Sequence, residues 1–335
     1  MVTTENVPVL DDNDALDAFR LMLLTRTFDA KGSSLQRQGR FGTFSQVTGQ
    51  EASVVGSAFA LDPARDWVVP QYRELPALLR QGFPLANFAR YFRGDPAGGA
   101  IPPGVNMLPI QISIAAQLPH AVGLAWGLRR RGTDAVVLCY FGDGASSEGD
   151  FHESCNLAGL VKAPVVFFLQ NNGWAISTPR AKQSAGRTLA ERAASYGFPG
   201  EVVDGNDLAA VYATTARAVA RARRGDGPTL IESVTRRMGP HNTADDPTRY
   251  VDPAEDERWR ALDPLERTRR DLTERGLLDD EQMRALERET GETVERALAE
   301  AESGAPPDAE RLFAHVYAEL PPRVRRQRDA RRENG

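Results

Sequence analysis

Short apolar runs alternate with helical segments from about residue 116 onward, and this alternation constrains the fold more than any other feature of the chain. The runs AVVLCYF, APVVFFLQ, GEVVDG and PTLIESV contain the β-branched and aromatic residues that favour buried strands. The segments between them have helical spacing, and one of them, AQLPHAVGLAWGLRRRG, ends in a basic turn and Gly132. Strands that alternate with helices form parallel sheets through right-handed crossovers. The sequence therefore predicts an α/β fold, a doubly wound parallel sheet flanked by helices.

Helical segments are expected to extend this fold at both ends. Apolar positions at helical spacing predict a helix over residues 13–30, within an N-terminal helical extension that spans 1–40. Residues 41–250 are predicted to form the α/β domain, and the charged sequence of 251–320 predicts a C-terminal helical region. The last segment, 321–335, is rich in arginine and predicts a solvated, frayed basic tail.

Composition and charge exclude several classes of protein. The chain has 335 residues, of which 41% are hydrophobic and 26% charged, and its net charge is −5. These values are typical of a globular protein and give no indication of nucleic-acid or membrane binding. The sequence contains no apolar run long enough to span a bilayer and no basic-then-apolar signal pattern, so we expect a cytoplasmic protein. Cys139 and Cys155 lie in or beside apolar segments, which predicts two reduced, packed thiols rather than a disulfide.

Polar side chains follow two of the predicted strands at the points where those strands end. Asp143 comes after AVVLCYF between two glycines, and Asn171 and Asn172 come after APVVFFLQ. Ligands of open parallel sheets bind at the carboxyl ends of the strands, and carboxylate and amide oxygens suit Mg²⁺ or Ca²⁺. The following helix is predicted to begin near Ser147, with Asp150 completing a capping box, and to aim free N–H groups at this edge. The pattern thus predicts a divalent cation that bridges protein oxygens to a diphosphate.

The residues alone also allow two other interpretations of these segments. The GDG could be a simple turn and the NNG a hairpin signal, with no ligand at either. A nucleotide-binding or metal-binding module without catalytic activity would also use such a sheet. The chain has neither a GxxxxGKS/T loop nor a GxGxxG after a strand, which disfavours the common nucleotide sites.

The GDG followed after about thirty residues by NN resembles the signature of thiamine diphosphate enzymes. From about residue 15 to 322 the chain is similar to the alpha subunit of the decarboxylating dehydrogenase component of 2-oxo acid dehydrogenase complexes. The resemblance also rests on GQEASVVGSAFAL, DWVVPQYRELPALLRQGFPL and GPHNTADDPTRY. It implies a thiamine diphosphate-binding fold, with thiamine diphosphate and Mg²⁺ as cofactors.

The resemblance also implies a role for individual residues of the site. It assigns Mg²⁺ to the side chains of Asp143 and Asn172 and to the backbone carbonyl of Trp174. It places further contacts to the cofactor at the backbone of Gly144 and Ala145, at Tyr72, Arg73 and Arg237 beside the diphosphate, and at Ile112 and Ile114 under the bend of the cofactor. It makes His241 the catalytic acid–base group that faces the reacting centre and assists acyl transfer.

The activity implied by the resemblance is the decarboxylation of a 2-oxo acid and the reductive acylation of a lipoyl group on an acyltransferase subunit. The glutamate that activates the cofactor in this family belongs to a beta subunit, which implies an α₂β₂ heterotetramer that is inactive without its beta chains. IPPGVNMLPIQISIAAQLPHAVG is more similar to bacterial pyruvate members, whereas the length of HNTADDPTRY is more similar to branched-chain members. Pyruvate is the favoured substrate, and branched-chain 2-oxo acid dehydrogenase and acetoin dehydrogenase are the alternatives.

Overall fold

A five-stranded parallel sheet forms the centre of the computed structural model, which describes residues 8–304, 310–314 and 316–334. Its strands lie in the order β1-β2-β3-β7-β6, and every neighbouring pair is parallel, as the alternation of strands and helices predicts. A separate antiparallel hairpin consists of β4 and β5. The strands are β1 (Trp67–Val69), β2 (Val137–Gly142), β3 (Val165–Asn171), β4 (Trp174–Ala175), β5 (Thr178–Pro179), β6 (Gly200–Asp204) and β7 (Thr229–Val234).

Helices cover the sheet, and further helices lie at both ends of the chain. They are α1 (Asp12–Arg37), α2 (Glu51–Phe59), α3 (Leu75–Arg80), α4 (Leu85–Phe92), α5 (Gln117–Arg130), α6 (Gly149–Val161), α7 (Arg180–Gln183), α8 (Leu208–Arg223), α9 (Pro253–Arg260), α10 (Pro264–Glu274), α11 (Asp280–Glu302), α12 (Arg311–Ala314) and α13 (Pro322–Asn334). The predicted end of α5 is confirmed, because Gly132 follows it with a positive φ of 77°.

The two faces of the sheet pack against different sets of helices. Val137, Cys139 and Phe141 of β2 belong to an apolar cluster that includes residues of α5 and α6. Leu138 and Tyr140 belong to a second cluster, with residues of α2, α4 and α8. Successive side chains of a strand point to opposite faces, so a buried strand is apolar at every position when helices cover both sides. This three-layer packing explains why β2 and β3 are continuous apolar runs.

The N-terminal and C-terminal helices pack onto the α/β domain and onto each other. Phe28 and Leu35 of α1 share an apolar cluster with Val294 and Leu298 of α11. Arg26 of α1 adds a charged connection, because its Nε lies 2.5 Å from Glu51 Oε1 and its Nη1 lies 2.9 Å from Asp263 Oδ2. The ends of the chain therefore contribute to the same core as the sheet.

Two local features differ from the sequence-based expectation. The predicted capping box of Ser147 and Asp150 is wrong, because Ser147 ends a 3₁₀ turn and Glu148 is the N-cap of α6 without a side-chain hydrogen bond. The tail is not frayed where the structure describes it, because Pro322–Asn334 forms α13. Its arginines remain largely solvated.

Both cysteines are free, buried thiols, which confirms that Cys139 and Cys155 form no disulfide. Burial raises the pKa of each thiol. Among the residues that the structure describes, no helix combines the length and the hydropathy needed to cross a membrane.

Candidate active site

The two predicted cation ligands lie at the same edge of the sheet. Asp143 directly follows β2 and Asn172 directly follows β3. The two strands are neighbours, and Gly142, the last residue of β2, lies opposite Gln170, the second-last residue of β3. The prediction that these strand ends adjoin is therefore confirmed. Both side chains line one cavity of about 190 Å³.

Residues from distant parts of the chain converge on this cavity. Its lining includes all the predicted site residues except one: Tyr72, Arg73, Ile114, Asp143, Gly144, Ala145, Asn172, Trp174, Arg237 and His241. Ile112 lies outside the lining and exposes 55% of its surface. The backbone between Ile112 and α5 is irregular, with Ala115 at a φ of 65°, so the positions of these isoleucines follow no strand or helix period.

The side chains of Asp143 and Asn172 are held by other amides. Asp143 is buried, and its Oδ2 accepts a hydrogen bond of 2.9 Å from Gln183 Nε2. Burial raises the pKa of Asp143, and the hydrogen bond from Gln183 opposes that rise. Asn172 Oδ1 accepts from the backbone N–H of Trp174 at 3.2 Å, and its Nδ2 donates to Gln50 Oε1 at 3.1 Å. Each predicted ligand therefore has a fixed orientation.

Gly144 allows the hairpin of β4 and β5 to approach the strand ends. A Cβ atom at this position would lie 2.8 Å from the Cβ of Ala175, which is closer than real side chains pack. Gly144 and Ala145 begin the 3₁₀ turn Gly144–Ser147, and both residues line the cavity. This turn can present N–H groups to an anion.

Two guanidinium groups meet at the ring of His241. Arg73 Nη2 lies 3.1 Å from His241 Nδ1, and Arg237 Nη1 lies 3.4 Å from the same nitrogen. Arginine only donates hydrogen bonds, so Nδ1 is the acceptor and the neutral ring carries its proton on Nε2. Burial, followed by the charges of Arg73 and Arg237, lowers the pKa of His241 to about 4. The imidazole is therefore neutral near pH 7.

The loop that carries His241 is cross-linked by polar contacts. The backbone N–H of His241 donates to Asp245 Oδ2 at 2.6 Å, and Tyr250 Oη donates to the same oxygen. Arg237 Nη2 donates to Tyr250 Oη and to the carbonyl of Ile176, both at 2.8 Å. These contacts fix the direction in which His241 faces the cavity.

Glu74 holds the segment that presents Tyr72 and Arg73. Its Oε2 accepts from the backbone N–H groups of Gln71 at 2.9 Å and Arg73 at 3.0 Å. Its Oε1 accepts from Gln170 Nε2 at 2.7 Å, which ties the segment to the end of β3. Burial raises the pKa of Glu74 to about 7 despite these hydrogen bonds.

Sequence reasoning missed the buried polar residues that support the site. Glu74 and Gln50 both lie in segments that carry the family resemblance, but neither was singled out as a site residue. Gln170 ends the apolar run APVVFFLQ, and the structure shows its amide buried and bonded to Glu74. The sequence gives no indication that Ile176 belongs to the site. Only the structure shows its unusual backbone conformation, with a φ of 55°.

The residues present fit a diphosphate and a hard divalent cation. Within the described part of the chain, Gln50 Nε2, Gln170 Oε1 and Trp174 Nε1 are buried without a hydrogen-bond partner, and buried polar atoms are normally paired. Arg73 and Arg237 are buried, and neither forms an ion pair with any described residue. Unpaired guanidinium groups suit the phosphate oxygens of a ligand.

The donor set also limits the type of cation. No three His, Cys, Asp or Glu side chains among the described residues are grouped so that they could hold a metal ion. One carboxylate and amide or carbonyl oxygens, completed by phosphate and water, match the way Mg²⁺ is bound beside phosphates. They do not match a zinc site, which takes nitrogen and sulfur ligands.

Comparison with known proteins agrees with this geometry. The family model for "Dehydrogenase E1 component" matches residues 19–310. Proteins named "Pyruvate dehydrogenase E1 component subunit alpha" from Staphylococcus epidermidis and Staphylococcus aureus are each 42% identical over 335 residues. These alignments cover 99% of this chain and 90% of each relative. The chain belongs to the dehydrogenase E1 component family.

Proposed function

We propose that this chain is the alpha subunit of a pyruvate dehydrogenase that decarboxylates pyruvate and reductively acylates the lipoyl group of an acyltransferase subunit. Membership of the dehydrogenase E1 component family implies thiamine diphosphate as the cofactor. The names of the Staphylococcus relatives support pyruvate as the substrate. The observation that carries the proposal is the convergence of Asp143, Asn172, Arg73 and Arg237 on one cavity at the strand ends.

The diphosphate end of the cofactor would lie against these residues. The side chains of Asp143 and Asn172 and the carbonyl of Trp174 would hold Mg²⁺, and Arg73 and Arg237 would bind phosphate oxygens. Tyr72 and the backbone of Gly144 and Ala145 would complete this contact, with Ile114 as an apolar support. Thiamine diphosphate supplies, when bound, the electron sink that allows CO₂ to leave a 2-oxo acid.

His241 would provide proton transfer and orientation in acyl transfer. Its ring is neutral and carries the proton on Nε2, because Nδ1 faces two guanidinium groups. A neutral imidazole can hydrogen-bond to a developing negative charge through Nε2 and can exchange that proton. The contacts within the 241–250 loop hold the backbone that carries His241, which limits the directions in which Nε2 can point.

A beta subunit would complete the site. The cavity of about 190 Å³ is smaller than the roughly 300–1,000 Å³ of sites that enclose a drug-sized ligand. The alpha-subunit names of the relatives also imply a beta partner. We infer an α₂β₂ assembly in which the beta chain supplies the glutamate that activates the cofactor, and which passes its acyl group to a lipoyl-bearing acyltransferase.

The test is a dye-reduction assay on this chain co-purified with its beta subunit, with thiamine diphosphate and Mg²⁺. Pyruvate, branched-chain 2-oxo acids and acetoin are compared at equal concentration. The proposal predicts that pyruvate has the highest kcat/KM. A preference for branched-chain acids or for acetoin would show that this compound, and not pyruvate, is the substrate. No turnover of any of them would contradict the proposed activity.

A further inference from the structure

Gln183 contacts the carboxylate that the proposed function assigns to the cation. Its Nε2 lies 2.9 Å from Asp143 Oδ2 and 3.0 Å from the carbonyl oxygen of Thr178. Both neighbours are acceptors, so the atom between them must be the amide nitrogen. The hydrogen bond engages Oδ2 and thereby orients the Asp143 carboxylate.

Gln50 contacts Asn172, the other proposed side-chain ligand, as a hydrogen-bond acceptor rather than as a donor. Asn172 Oδ1 accepts from the backbone N–H of Trp174, so the other atom of that amide is Nδ2, a donor. This nitrogen lies 3.1 Å from Gln50, whose contacting atom must therefore be the acceptor Oε1. Gln50 is fully buried, and its own Nε2 has no partner among the described residues.

The two glutamines come from unrelated parts of the fold. Gln50 is the N-cap residue of α2, whereas Gln183 ends the short helix α7 beyond the β4–β5 hairpin. Each holds one ligand, one as donor and the other as acceptor. Groups that orient the ligands of a metal ion commonly change its affinity by about 10- to 100-fold when they are removed.

We propose that Gln183 and Gln50 are positioning residues for the cation site, Gln183 orienting Asp143 by donating a hydrogen bond and Gln50 orienting Asn172 by accepting one. This inference rests on the proposed function, because it requires Mg²⁺ at these ligands. Neither glutamine need contact the cation to have this effect. Their effect is to fix the orientation of the Asp143 carboxylate and of the Asn172 amide before the cation arrives.

The directions of the hydrogen bonds make the same substitution act differently at the two positions. Glutamate cannot donate, so Gln183→Glu loses the contact and places a like charge beside Asp143. Glutamate still accepts, so Gln50→Glu keeps the contact with Asn172 Nδ2. Methionine, of similar length, removes the contact at either position. A merely structural role would give no such contrast.

The experiment measures thiamine diphosphate binding by calorimetry over a series of Mg²⁺ concentrations, on this chain with its beta subunit. The readout is the Mg²⁺ concentration at half-saturation, which does not depend on turnover. We expect a rise of about 10- to 100-fold for Gln183→Glu, Gln183→Met and Gln50→Met, and less than about 3-fold for Gln50→Glu. Gln38→Glu, at an exposed position after α1, is the matched control and should equal the wild type. Thermal unfolding of each variant shows whether it folds.

Wild-type Mg²⁺ dependence in both Gln183 variants would overturn the inference, and so would equal shifts for Gln50→Glu and Gln183→Glu. If Gln50→Glu fails to fold, the two Gln183 variants decide alone. A wild type that binds thiamine diphosphate without Mg²⁺ would instead contradict the proposed function. The two failures are thus distinguishable.

Discussion

At the scale of single residues, burial pushes both key titratable groups of the cavity towards their neutral forms. It raises the pKa of Asp143 and lowers that of His241 to about 4. A bound divalent cation would favour the ionised form of Asp143, whereas the guanidinium groups of Arg73 and Arg237 reinforce the neutral form of His241. One cavity thus contains both a buried carboxyl group and a neutral imidazole with a defined tautomer.

Replacing His241 should affect acyl transfer more than decarboxylation. His241→Gln removes the titratable ring, so we expect lipoyl acylation to fall by about 10²- to 10⁴-fold and dye reduction to fall much less. The measurement is the rate of acylation of a lipoyl domain beside the rate of dye reduction in the same preparation. Equal losses in both rates would contradict a role specific to acyl transfer.

At the scale of elements, the position of Gly144 determines how closely the β4–β5 hairpin packs. Gly144→Ala should displace the hairpin, because the new Cβ would meet that of Ala175 at 2.8 Å. We expect a loss of stability of about 1–3 kcal/mol and weaker binding of thiamine diphosphate. Denaturant unfolding and calorimetry measure the two effects.

Gly149→Ala is the matched control for this substitution. Gly149 is the first residue of α6, and a Cβ there would meet only Glu153 Oε1, at 3.9 Å. We expect unchanged cofactor binding in this variant. If Gly144→Ala behaved like Gly149→Ala, close packing of the hairpin would not be needed for the site.

Asp29 of α1 anchors the loop that leads to Gln50. Its Oδ2 accepts from the backbone N–H groups of Val47 and Thr48, both at 2.7 Å. Burial, followed by the charge of Glu51, raises the pKa of Asp29 from 3.8 to about 7. The contribution of Asp29 to the free energy of unfolding is therefore fully present below pH 3.8, the pKa of the unfolded chain. It is lost as the pH rises from there through about 7, the pKa of the folded state.

Asp29→Asn should remove this pH dependence. The free energy of unfolding of the wild type, minus that of Asp29→Asn, should fall by about 3 kcal/mol between about pH 5 and pH 8. Urea unfolding of both proteins across this range measures the difference. A difference that stays constant with pH would show that Asp29 has an ordinary pKa in the folded state.

The sequence predicted the sheet, and the placement of Asp143 and Asn172 at its edge, because both depend on local patterns. The strands β2 and β3 are covered on both faces and so read as continuous apolar runs, and Asp143 and Asn172 follow them directly. The capping of α6 was predicted wrongly because a 3₁₀ turn takes up Ser147 before the helix begins. The turn competes with the cap for the same residues, and the sequence pattern does not distinguish them.

The supporting contacts of the site could not be predicted in the same way. Gln50 meets Asn172 across 122 positions of sequence, and Glu74 meets Gln170 across 96. No periodicity relates such pairs, because the fold brings the N-caps of α2 and α3 to the end of β3. Contacts of this kind require the three-dimensional structure.

At the scale of the whole molecule, the helices cover both faces of the sheet and leave the carboxyl ends of β2 and β3 as the edge where the cavity lies. The chain brings Asp143, Asn172, two guanidinium groups and a neutral histidine together there. We infer that these groups form the diphosphate half of a decarboxylating site, completed by a beta subunit.

The most direct test is the release of labelled CO₂ from carboxyl-labelled pyruvate by this chain, alone and with its beta subunit, in the presence of thiamine diphosphate and Mg²⁺. Asp143→Asn, which keeps the shape of the side chain and removes its charge, is measured beside Asp134→Asn, an exposed surface control. We predict release only by the assembly of both subunits, a loss of at least about 100-fold in Asp143→Asn, and wild-type rates in Asp134→Asn. Release by the isolated chain, or undiminished release by the Asp143→Asn assembly, would contradict the inferred two-subunit site.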